Sequence, residues 1–330
     1  MNENEARNQV VETGLELLNE GLVARTWGNV SCRLSDEEFL ITPSGLAYTN
    51  VTPEDIAVYN RCTGKWKGER KPSSEKGIHA AAYELFPDVN FVIHTHQNYA
   101  SALGLAGWDS MDITEEEKAK LGGIACAEYG LPGTDKLKNA VRSAMETGAK
   151  TVFMLKHGVV IGGESREDAM EKAKLLEEIC KRNFKCNIGY VKRIKNDEAQ
   201  AMMDEINAVY PNALLAHSDV LIMQANLGKS IRAQLDDMAQ MIGFKIPVVK
   251  RDAKTLIKAL EKHNTVIVPM LGAIVNGTDH DDSVALGMLA HKAAICSRHT
   301  ENSKVKSKLG AVDVALMNFV YKKKYSKKKG

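Results

Sequence analysis

The chain has 330 residues, of which 44 are basic and 42 are acidic, so its formal net charge is only +2. A hydrophobic fraction of 44% and a charged fraction of 26% are ordinary for a globular protein, and they exclude a chain that is disordered overall, collagen-like or disulfide-rich. The near-zero charge hides an asymmetry. From residue 304 onward there are nine lysines and one acid, a net charge of +8, whereas the body carries −6.

Localisation is predicted from three features. No apolar run reaches the roughly 18–20 residues that a membrane-spanning helix needs. The polar and acidic start of the chain does not resemble a signal or transit peptide. The six cysteines form no Cys-X-X-Cys pair, which is typical of thiols kept in a reducing compartment. We therefore expect a cytoplasmic protein without a membrane span.

The first predicted elements are a helix and a hairpin. Residues 6–22 have apolar side chains at three- and four-residue spacing, which predicts an amphipathic helix. Residues 30–34 and 39–42 are short and β-rich, and a turn-like segment separates them, which predicts a β-hairpin. A second helix is predicted after Pro72-Ser73-Ser74, where a serine can cap the helix and Glu75 lies in the first turn.

Further along, residues 91–96 and 152–155 have the composition of buried strands. Ser165, with Asp168 three residues later, predicts the start of a long helix that extends to residue 184. Strands and helices are interleaved along the chain, so the predicted fold class is α/β or α+β.

The chain also contains an internal repeat. The segment that starts at Thr151 aligns without gaps over 20 positions with the segment that starts at Thr265, and His157 in the first copy becomes Leu271 in the second. A predicted helix precedes each copy. We therefore expect a main domain over residues 1–210, a degenerate copy over 211–303, and a lysine-rich, disordered tail over 304–330.

Three histidines and a glutamate are candidate metal ligands. His94 and His96 are two residues apart on a predicted strand, so their side chains share one face and can bind one metal ion. His157 follows the next β-run and can supply a third ligand, and Glu75 can supply a carboxylate that also acts as a base. Taken singly, such histidines are more often satisfied polar residues, and such a glutamate more often stabilises a helix dipole.

Small polar residues cluster at three turns or helix starts. Hydroxyls, an amide and free backbone N–H groups at such places can bind an anion without Lys or Arg. For any single cluster, ordinary turn and capping chemistry is the more frequent explanation. The clusters are formed by Thr26 and Asn29, by Ser44 and Gly45, and by Ser73 and Ser74.

The order of the motifs is more specific than any one of them. Thr-Trp-Gly-Asn-Val-Ser, Ile-Thr-Pro-Ser-Gly, Lys-Pro-Ser-Ser-Glu, His-Thr-His and Lys-His-Gly-Val-Val-Ile-Gly-Gly follow one another between residues 5 and 190. In this series the chain resembles the class II aldolase/adducin family, in particular the zinc-dependent fuculose-phosphate aldolases. The resemblance implies an α/β/α layered sandwich around a central mixed, mainly antiparallel sheet, followed here by a smaller α/β repeat.

The resemblance also implies a metal site in the main domain. A divalent ion, Zn²⁺ or else Mn²⁺, Co²⁺ or Fe²⁺, would be held by His94, His96 and His157, with Glu75 as fourth ligand and catalytic base. A phosphate cradle would be formed by Thr26, Asn29, Ser44, Gly45, Ser73 and Ser74. The implied reaction is reversible aldol cleavage of a ketose 1-phosphate to dihydroxyacetone phosphate and an aldehyde. The implied assembly is a homo-oligomer, with a tetramer favoured.

The sequence departs from the family pattern at the proton donor. Fuculose-type aldolases carry a His-Tyr pair after the His-X-His motif, and that tyrosine donates a proton to the aldehyde end. The corresponding stretch of this chain has no tyrosine. Asp112 or Glu115 is the candidate replacement, and a solvated acidic loop is the other interpretation.

Three alternative functions remain at this stage. A sugar-phosphate 4-epimerase or a ketose-phosphate dehydratase would use the same scaffold, although Glu75 favours cleavage because epimerases of the family usually have aspartate there. A non-catalytic, adducin-like binding protein is disfavoured by the retained histidines. No basic stripe is interleaved with aromatics, and the body is negative, so no specific nucleic-acid partner is expected.

Overall fold

The structure is a computed structural model and describes residues 2–186 and 188–326. The chain divides into two units between Asn183 and Phe184. The boundary predicted at residue 210 lies after a helix, Asn196–Asn207, whose packing partners belong to the second unit. In the described ranges, no helix combines the length and the apolar character needed to cross a membrane.

The first unit contains one mixed sheet. Its strands are β1 (Asn29–Arg33), β2 (Glu38–Ile41), β3 (Ala57–Asn60), β4 (Trp66–Lys67), β5 (Phe91–Thr95), β6 (Ile124–Ala127), β7 (Thr151–Met154) and β8 (Gly158–Gly163). The strand order is β4-β3-β2-β1-β5-β8-β7-β6. Only β6 and β7 pair in parallel, so the expectation of a mixed, mainly antiparallel sheet is confirmed.

Helices cover both faces of this sheet. They are α1 (Glu3–Asn19), α2 (Lys76–Leu85), α3 (Asn98–Leu105), α4 (Glu115–Lys120), α5 (Asp135–Met145) and α6 (Arg166–Arg182). One buried apolar cluster joins α1, α3 and α6 to one face of the sheet. A second cluster joins α2 and α5 to the opposite face. The unit is therefore the three-layered α/β/α sandwich that the sequence predicts.

The local predictions for this unit hold with one correction. Ser31 pairs with Ile41 in the predicted hairpin, and the Ser165 hydroxyl accepts a hydrogen bond from Asp168 N at the start of α6. At α2, however, Glu75 occupies the N-cap position and no side chain caps the helix. The expected serine cap is wrong because the Ser73 hydroxyl accepts from Glu75 N (3.2 Å), one step before the helix.

The second unit contains shorter strands and longer helices. Its strands are β9 (Ala213–Ala216), β10 (Ile231–Arg232), β11 (Lys245–Ile246), β12 (Thr265–Val268) and β13 (Gly272–Asn276). Its helices are α7 (Asn196–Asn207), α8 (Asp219–Asn226), α9 (Asp236–Met241), α10 (Ala253–Leu260), α11 (His280–Asn302) and α12 (Ala311–Ser326). β12, β13 and β9 form one sheet, and β10 pairs with β11.

The two units share a local arrangement of strands. In the first unit β5, β8 and β7 pair antiparallel, and β7 pairs in parallel with β6. In the second unit β9, β13 and β12 pair antiparallel, and Ile267 of β12 forms a parallel bridge with Val248. Lys156 and Met270, at the corresponding turns, both have a φ of 66°. The two units share these features, and the repeat that the sequence alignment predicts stays a prediction.

The lysine-rich tail is helical over much of its length, so the expectation of disorder is wrong for residues 311–326. Val314 and Met317 are buried and α12 packs on α9. The Asn318 amide donates to Gln240 O (2.9 Å). The expectation followed the lysines and overlooked the apolar residues between them, which are sufficient for a packed helix. Residues 327–330 of the tail lie outside the described residues.

Candidate metal centre

Two neighbouring strands bring the three predicted histidines together. His94 lies in β5 and His96 just beyond its end, whereas His157 lies in the turn between β7 and β8. β5 and β8 are paired so that Thr95 faces Val159, which places the end of β5 beside this turn. The backbone N–H of His157 donates to Met154 O (3.0 Å) and closes the turn.

The three imidazoles form a compact, buried triangle. Their ring centroids are 4.7 Å (His94 to His96), 5.0 Å (His94 to His157) and 4.9 Å (His96 to His157) apart. One ligand nitrogen from each ring lies within 4.8 Å of the other two. All three side chains are at most 5% exposed. The structure thus brings together all three residues that the sequence proposes as ligands.

The orientation of the rings suits metal binding. His94 donates from Nδ1 to the carbonyl of Val159 (2.9 Å), so in the neutral ring the lone pair is on Nε2. That Nε2 faces the cluster and lies 3.0 Å from Nε2 of His96. A ligand histidine whose other nitrogen donates to a backbone carbonyl is the usual arrangement at protein metal sites. Three imidazoles and a carboxylate are a donor set that fits Zn²⁺ and related divalent ions.

Glu75 completes the cluster from the N-terminus of α2. One carboxylate oxygen lies 2.9 Å from His157 Nε2 and the other 3.4 Å from His94 Nε2. The Asn29 amide donates to the second oxygen (3.0 Å). Burial alone would raise the pKa of Glu75, but its electrostatic interactions with His157 and His94 and its hydrogen bond with His157 outweigh burial and hold this pKa well below its ordinary value. Glu75 is therefore a buried, ionised carboxylate.

Two of the three small polar clusters meet beside Glu75. Ser44 N donates to Lys71 O (2.9 Å) and Ser73 N donates to Thr42 O (3.1 Å). These bonds bring the Ser44-Gly45 turn next to the Ser73-Ser74 segment. The third cluster begins at Thr26, in the turn that leads into β1. Asn29 is only 4% exposed, and both ends of its amide are engaged, by Glu75 and by His79.

The two candidate proton donors lie on an exposed segment. Asp112 precedes α4, where its backbone N–H donates to the side chain of Asn183 (2.6 Å) and its carbonyl accepts from Arg182 (2.9 Å). Glu115 is exposed in the first turn of α4. Neither residue forms a hydrogen bond or ion pair with the histidines in the described part of the chain.

The structure also shows polar residues near the centre that sequence reasoning missed. A cavity of about 250 Å³ beside Ser74 and Glu75 is lined by Lys76, Lys138 and Asp135, and Lys138 pairs with Asp135 (2.6 Å). Tyr48 is buried, and burial followed by the charge of Glu75 raises its pKa. Lys76 directly follows Glu75 in the sequence, whereas Tyr48 and Lys138 come near it only through the packing of separate elements, which no local pattern indicates.

Comparison with known proteins shows which family this sequence resembles. The sequence profile of the Class II Aldolase and Adducin N-terminal domain matches residues 8–184, more than half of the chain. A 5-deoxy-D-ribulose 1-phosphate aldolase from Bacillus thuringiensis serovar kurstaki is 30% identical over 196 residues, which are 59% of this chain and 92% of that enzyme. An L-fuculose phosphate aldolase from Escherichia coli K12 is 34% identical over 179 residues, which are 54% of this chain and 81% of that enzyme.

A solved structure supports the same grouping. A putative aldolase/epimerase/decarboxylase from Klebsiella pneumoniae matches with a TM-score of 0.52 at 25% identity, covering 61% of this chain and 99% of that chain. The profile match contains every residue of the candidate centre and ends where the second unit begins.

Proposed function

Since the chain belongs to the class II aldolase and adducin family, we propose that it is a metal-dependent aldolase that cleaves a ketose 1-phosphate into dihydroxyacetone phosphate and an aldehyde. The observation that carries this proposal is the buried triangle of His94, His96 and His157 with Glu75 against it. A non-catalytic, adducin-like protein has no need of three buried imidazoles around an ionised carboxylate.

The three histidines would hold the metal, with Glu75 as the fourth ligand in the resting enzyme. Zinc is the proposed ion, and Mn²⁺, Co²⁺ or Fe²⁺ would suit the same donors. A divalent ion held by neutral imidazoles keeps most of its positive charge and, when bound, acts as a Lewis acid for a developing oxyanion.

Cleavage breaks the bond between C3 and C4 of the ketose phosphate. The C4 hydroxyl loses its proton and becomes the aldehyde, and the electron pair of the broken bond moves to C3 and the C2 carbonyl as an enediolate. C3 then needs a proton to give dihydroxyacetone phosphate. Glu75 lies inside the centre. In the direction of condensation its carboxylate removes a proton from C3, and in cleavage its acid form, which takes up a proton from solvent, gives a proton to C3, while the proton of the C4 hydroxyl passes to the group at the aldehyde end.

The phosphate end of the substrate would bind at the start of α2. Ser44, Gly45, Ser73 and Ser74 offer hydroxyls and backbone N–H groups there, and Thr26 lies at the turn before β1. Lys76 lines the neighbouring cavity together with the Lys138–Asp135 ion pair, and it would add a positive charge that the sequence-based picture of a neutral cradle lacked. Asn29, engaged by Glu75, would contribute by holding the base. Binding one end of the substrate in this way converts binding energy into orientation of the reacting carbons.

The proton at the aldehyde end requires a second group. Asp112 and Glu115 remain the proposed candidates because both are exposed on the segment where the family's tyrosine is missing. An exposed acid reaches a neighbouring subunit more readily than its own buried centre, which fits a homo-oligomer, with a tetramer favoured. We place the enzyme in the cytoplasm, where thiols such as those of Cys32, Cys62, Cys126, Cys180 and Cys186 stay reduced.

A panel of ketose 1-phosphates tests the proposed reaction. The zinc-loaded protein should release dihydroxyacetone phosphate from at least one of them, with an aldehyde in equal amount. Glu75→Gln and His94→Ala should lower kcat/KM by roughly 10²–10⁴-fold. Turnover of a substrate without a three-carbon product would instead indicate the epimerase or the dehydratase, and full activity of both variants would show that the site is wrongly assigned.

A further inference from the structure

A row of buried polar side chains runs from Glu75 along the interface between α2 and β1. Glu75, His79 and Tyr83 are spaced by four residues and so share one face of the helix. Asn29 and Ser31 alternate on one face of the strand. Four residues of helix advance about 6.0 Å and two residues of strand about 6.7 Å. Because these distances are similar, successive side chains of the helix set lie beside successive side chains of the strand set. We call these five residues the polar ladder.

The rungs of the polar ladder are short hydrogen bonds. The Asn29 amide contacts Glu75 (3.0 Å) at one end and His79 Nε2 at the other. His79 Nδ1 lies 2.6 Å from the Ser31 hydroxyl, which lies 2.7 Å from the Tyr83 hydroxyl. His79 and Ser31 are 0% exposed. Water therefore cannot replace a missing partner, and each group depends on its neighbours.

The chemistry of the groups fixes the direction of every bond. The Asn29 NH₂ group donates to a Glu75 oxygen (3.0 Å), and its carbonyl faces Nε2 of His79. His79 must then donate from Nε2, which leaves Nδ1 to accept from Ser31, and the Ser31 oxygen accepts from Tyr83. Burial, followed by the nearby His94, lowers the pKa of His79 to about 3, so the ring is neutral and can hold this single tautomer.

We infer that His79 is a positioning residue for Glu75 and acts through Asn29. A side-chain amide can rotate by half a turn with little change in shape, and a rotated Asn29 would point its carbonyl at the Glu75 carboxylate, acceptor against acceptor. His79 opposes this rotation, because its Nε2–H would then face the NH₂ group unless the ring proton moved to Nδ1 and the Ser31 and Tyr83 hydroxyls reversed their hydrogen bonds. The inference rests on the proposed role of Glu75 as metal ligand and base, which it deepens.

The consequence is that His79 controls metal affinity without touching the metal site. Removing a residue that orients a metal ligand through a hydrogen bond, without contacting the metal, typically lowers metal affinity or activity by about 10–100-fold. His79→Leu removes the donor while keeping an apolar volume, whereas His79→Gln retains an N–H group at a similar reach. Thr151→Val is a matched control, because it also removes one buried hydrogen bond, from Thr151 Oγ1 to Leu121 O (2.7 Å), away from the ladder.

The experiment measures zinc affinity of the full chain by competition with a chromophoric chelator, together with the melting temperature. We expect His79→Leu to weaken zinc binding by about 10–100-fold, His79→Gln to recover most of the loss, and Thr151→Val to match the wild type. Zinc binding as tight as wild type in a folded His79→Leu would overturn the inference. So would a folded His79→Gln that binds as weakly as His79→Leu.

This outcome is separable from that of the proposed reaction. If the wild type binds zinc but releases no dihydroxyacetone phosphate from any ketose 1-phosphate, the proposed function fails while the order of zinc affinities still decides the role of His79. A histidine with a purely structural role would lower the melting temperature and leave the zinc affinity of the folded protein unchanged, which also counts against the inference.

Discussion

At the scale of single residues, hydrogen bonds on the side away from the metal determine how the ligands present their lone pairs. His94 is held by the Val159 carbonyl (2.9 Å), and Glu75 is held by Asn29 (3.0 Å). Each partner is itself buried or part of the sheet. The ligands are therefore oriented before any ion arrives, which reduces the ordering that binding would otherwise require.

Buried His79 makes stability depend on pH. Its pKa is about 3 in the folded protein and close to 6.5 in the unfolded chain, so below pH 6.5 the unfolded state takes up a proton that the folded state refuses. As the pH falls from about 6.5 toward 3, the wild type should lose up to about 1.4 kcal/mol of stability per pH unit from this residue.

Urea unfolding with a chelator present, so that metal release does not contribute, measures this effect. The glutamine of His79→Gln does not titrate, so the stability advantage of the wild type over this variant should narrow on acidification. Parallel pH profiles for the two proteins would contradict a buried, neutral His79.

The sequence predicted the individual site residues better than the contacts between them. His94 and His96 follow from the two-residue period of a strand, and the order of motifs adds His157 and Glu75. The bond from Asn29 to Glu75 joins residues 46 positions apart, and its existence depends on how α2 lies over β1. No local pattern encodes that register, so the role of His79 becomes visible only in the folded chain.

At the scale of elements, the turn between β7 and β8 determines how closely the three imidazoles can approach one another. His157 lies between Lys156, whose φ is 66°, and Gly158. A Cβ on Gly158 would lie 2.2 Å from Thr95 O and 3.0 Å from Cε1 of His94. Only glycine allows β8 to approach β5 closely enough for the three imidazoles to meet.

Gly158→Ala should therefore disturb both the fold and the centre. We expect the clash with the β5 backbone to lower the free energy of unfolding by about 1–3 kcal/mol and to weaken zinc binding in the same variant. Gly189→Ala is the control, because Gly189 is exposed and no atom lies within 4 Å of its added Cβ. A Gly158→Ala protein with wild-type stability and zinc affinity would show that this close approach is not required.

Elements whose ends and turns depend on a few adjacent residues were predicted correctly. Elements that depend on packing between distant parts of the chain were not. The β1–β2 hairpin and the Ser165 cap depend on a few adjacent residues, and both were found. The predicted serine cap of α2 was wrong because the Ser73 hydroxyl accepts from Glu75 N, before the helix begins, and Glu75 itself occupies the N-cap position. Helix α12 was missed because its buried side, with Val314 and Met317, gains its stability from packing on α9.

At the scale of the whole molecule, we propose that the second unit is a degenerate copy without a metal site. In the first unit His94 pairs with Val160, and in the second Leu215 pairs with Ile274, which is 114 residues after Val160. Leu215 and Leu271 thus stand where His94 and His157 stand, and His217 stands in the place of His96. One of the three imidazoles is retained.

Restoring the two lost histidines tests this correspondence. Leu215→His together with Leu271→His should create a second centre with His217, so that bound zinc rises from one to two ions per chain. Adding His217→Ala should bring the count back to one. A folded double variant that still binds a single zinc would contradict the proposed correspondence between the two units.

The division of the chain was only partly predictable. The repeat predicts a degenerate copy over residues 211–303, because its glycines and flanking helices lie in corresponding places, and this copy stays a prediction. The first residue of the second unit was not found, since α7 carries no counterpart in the repeat, and its packing on β9 and α10 is a tertiary property. The charge asymmetry predicted a basic tail, but it carries no information on helix α12 within that tail.

In the proposed reaction Glu75 moves a proton at C3 of dihydroxyacetone phosphate, in a centre built by three histidines. Solvent exchange in D₂O, followed by proton NMR, tests this without knowledge of the aldehyde. The zinc-loaded wild type should exchange one of the two C3 protons of dihydroxyacetone phosphate for deuterium, and Glu75→Gln and His94→Ala should exchange no faster than the protein-free control. No exchange by the wild type, or equally fast exchange by Glu75→Gln, would contradict the proposed role of Glu75.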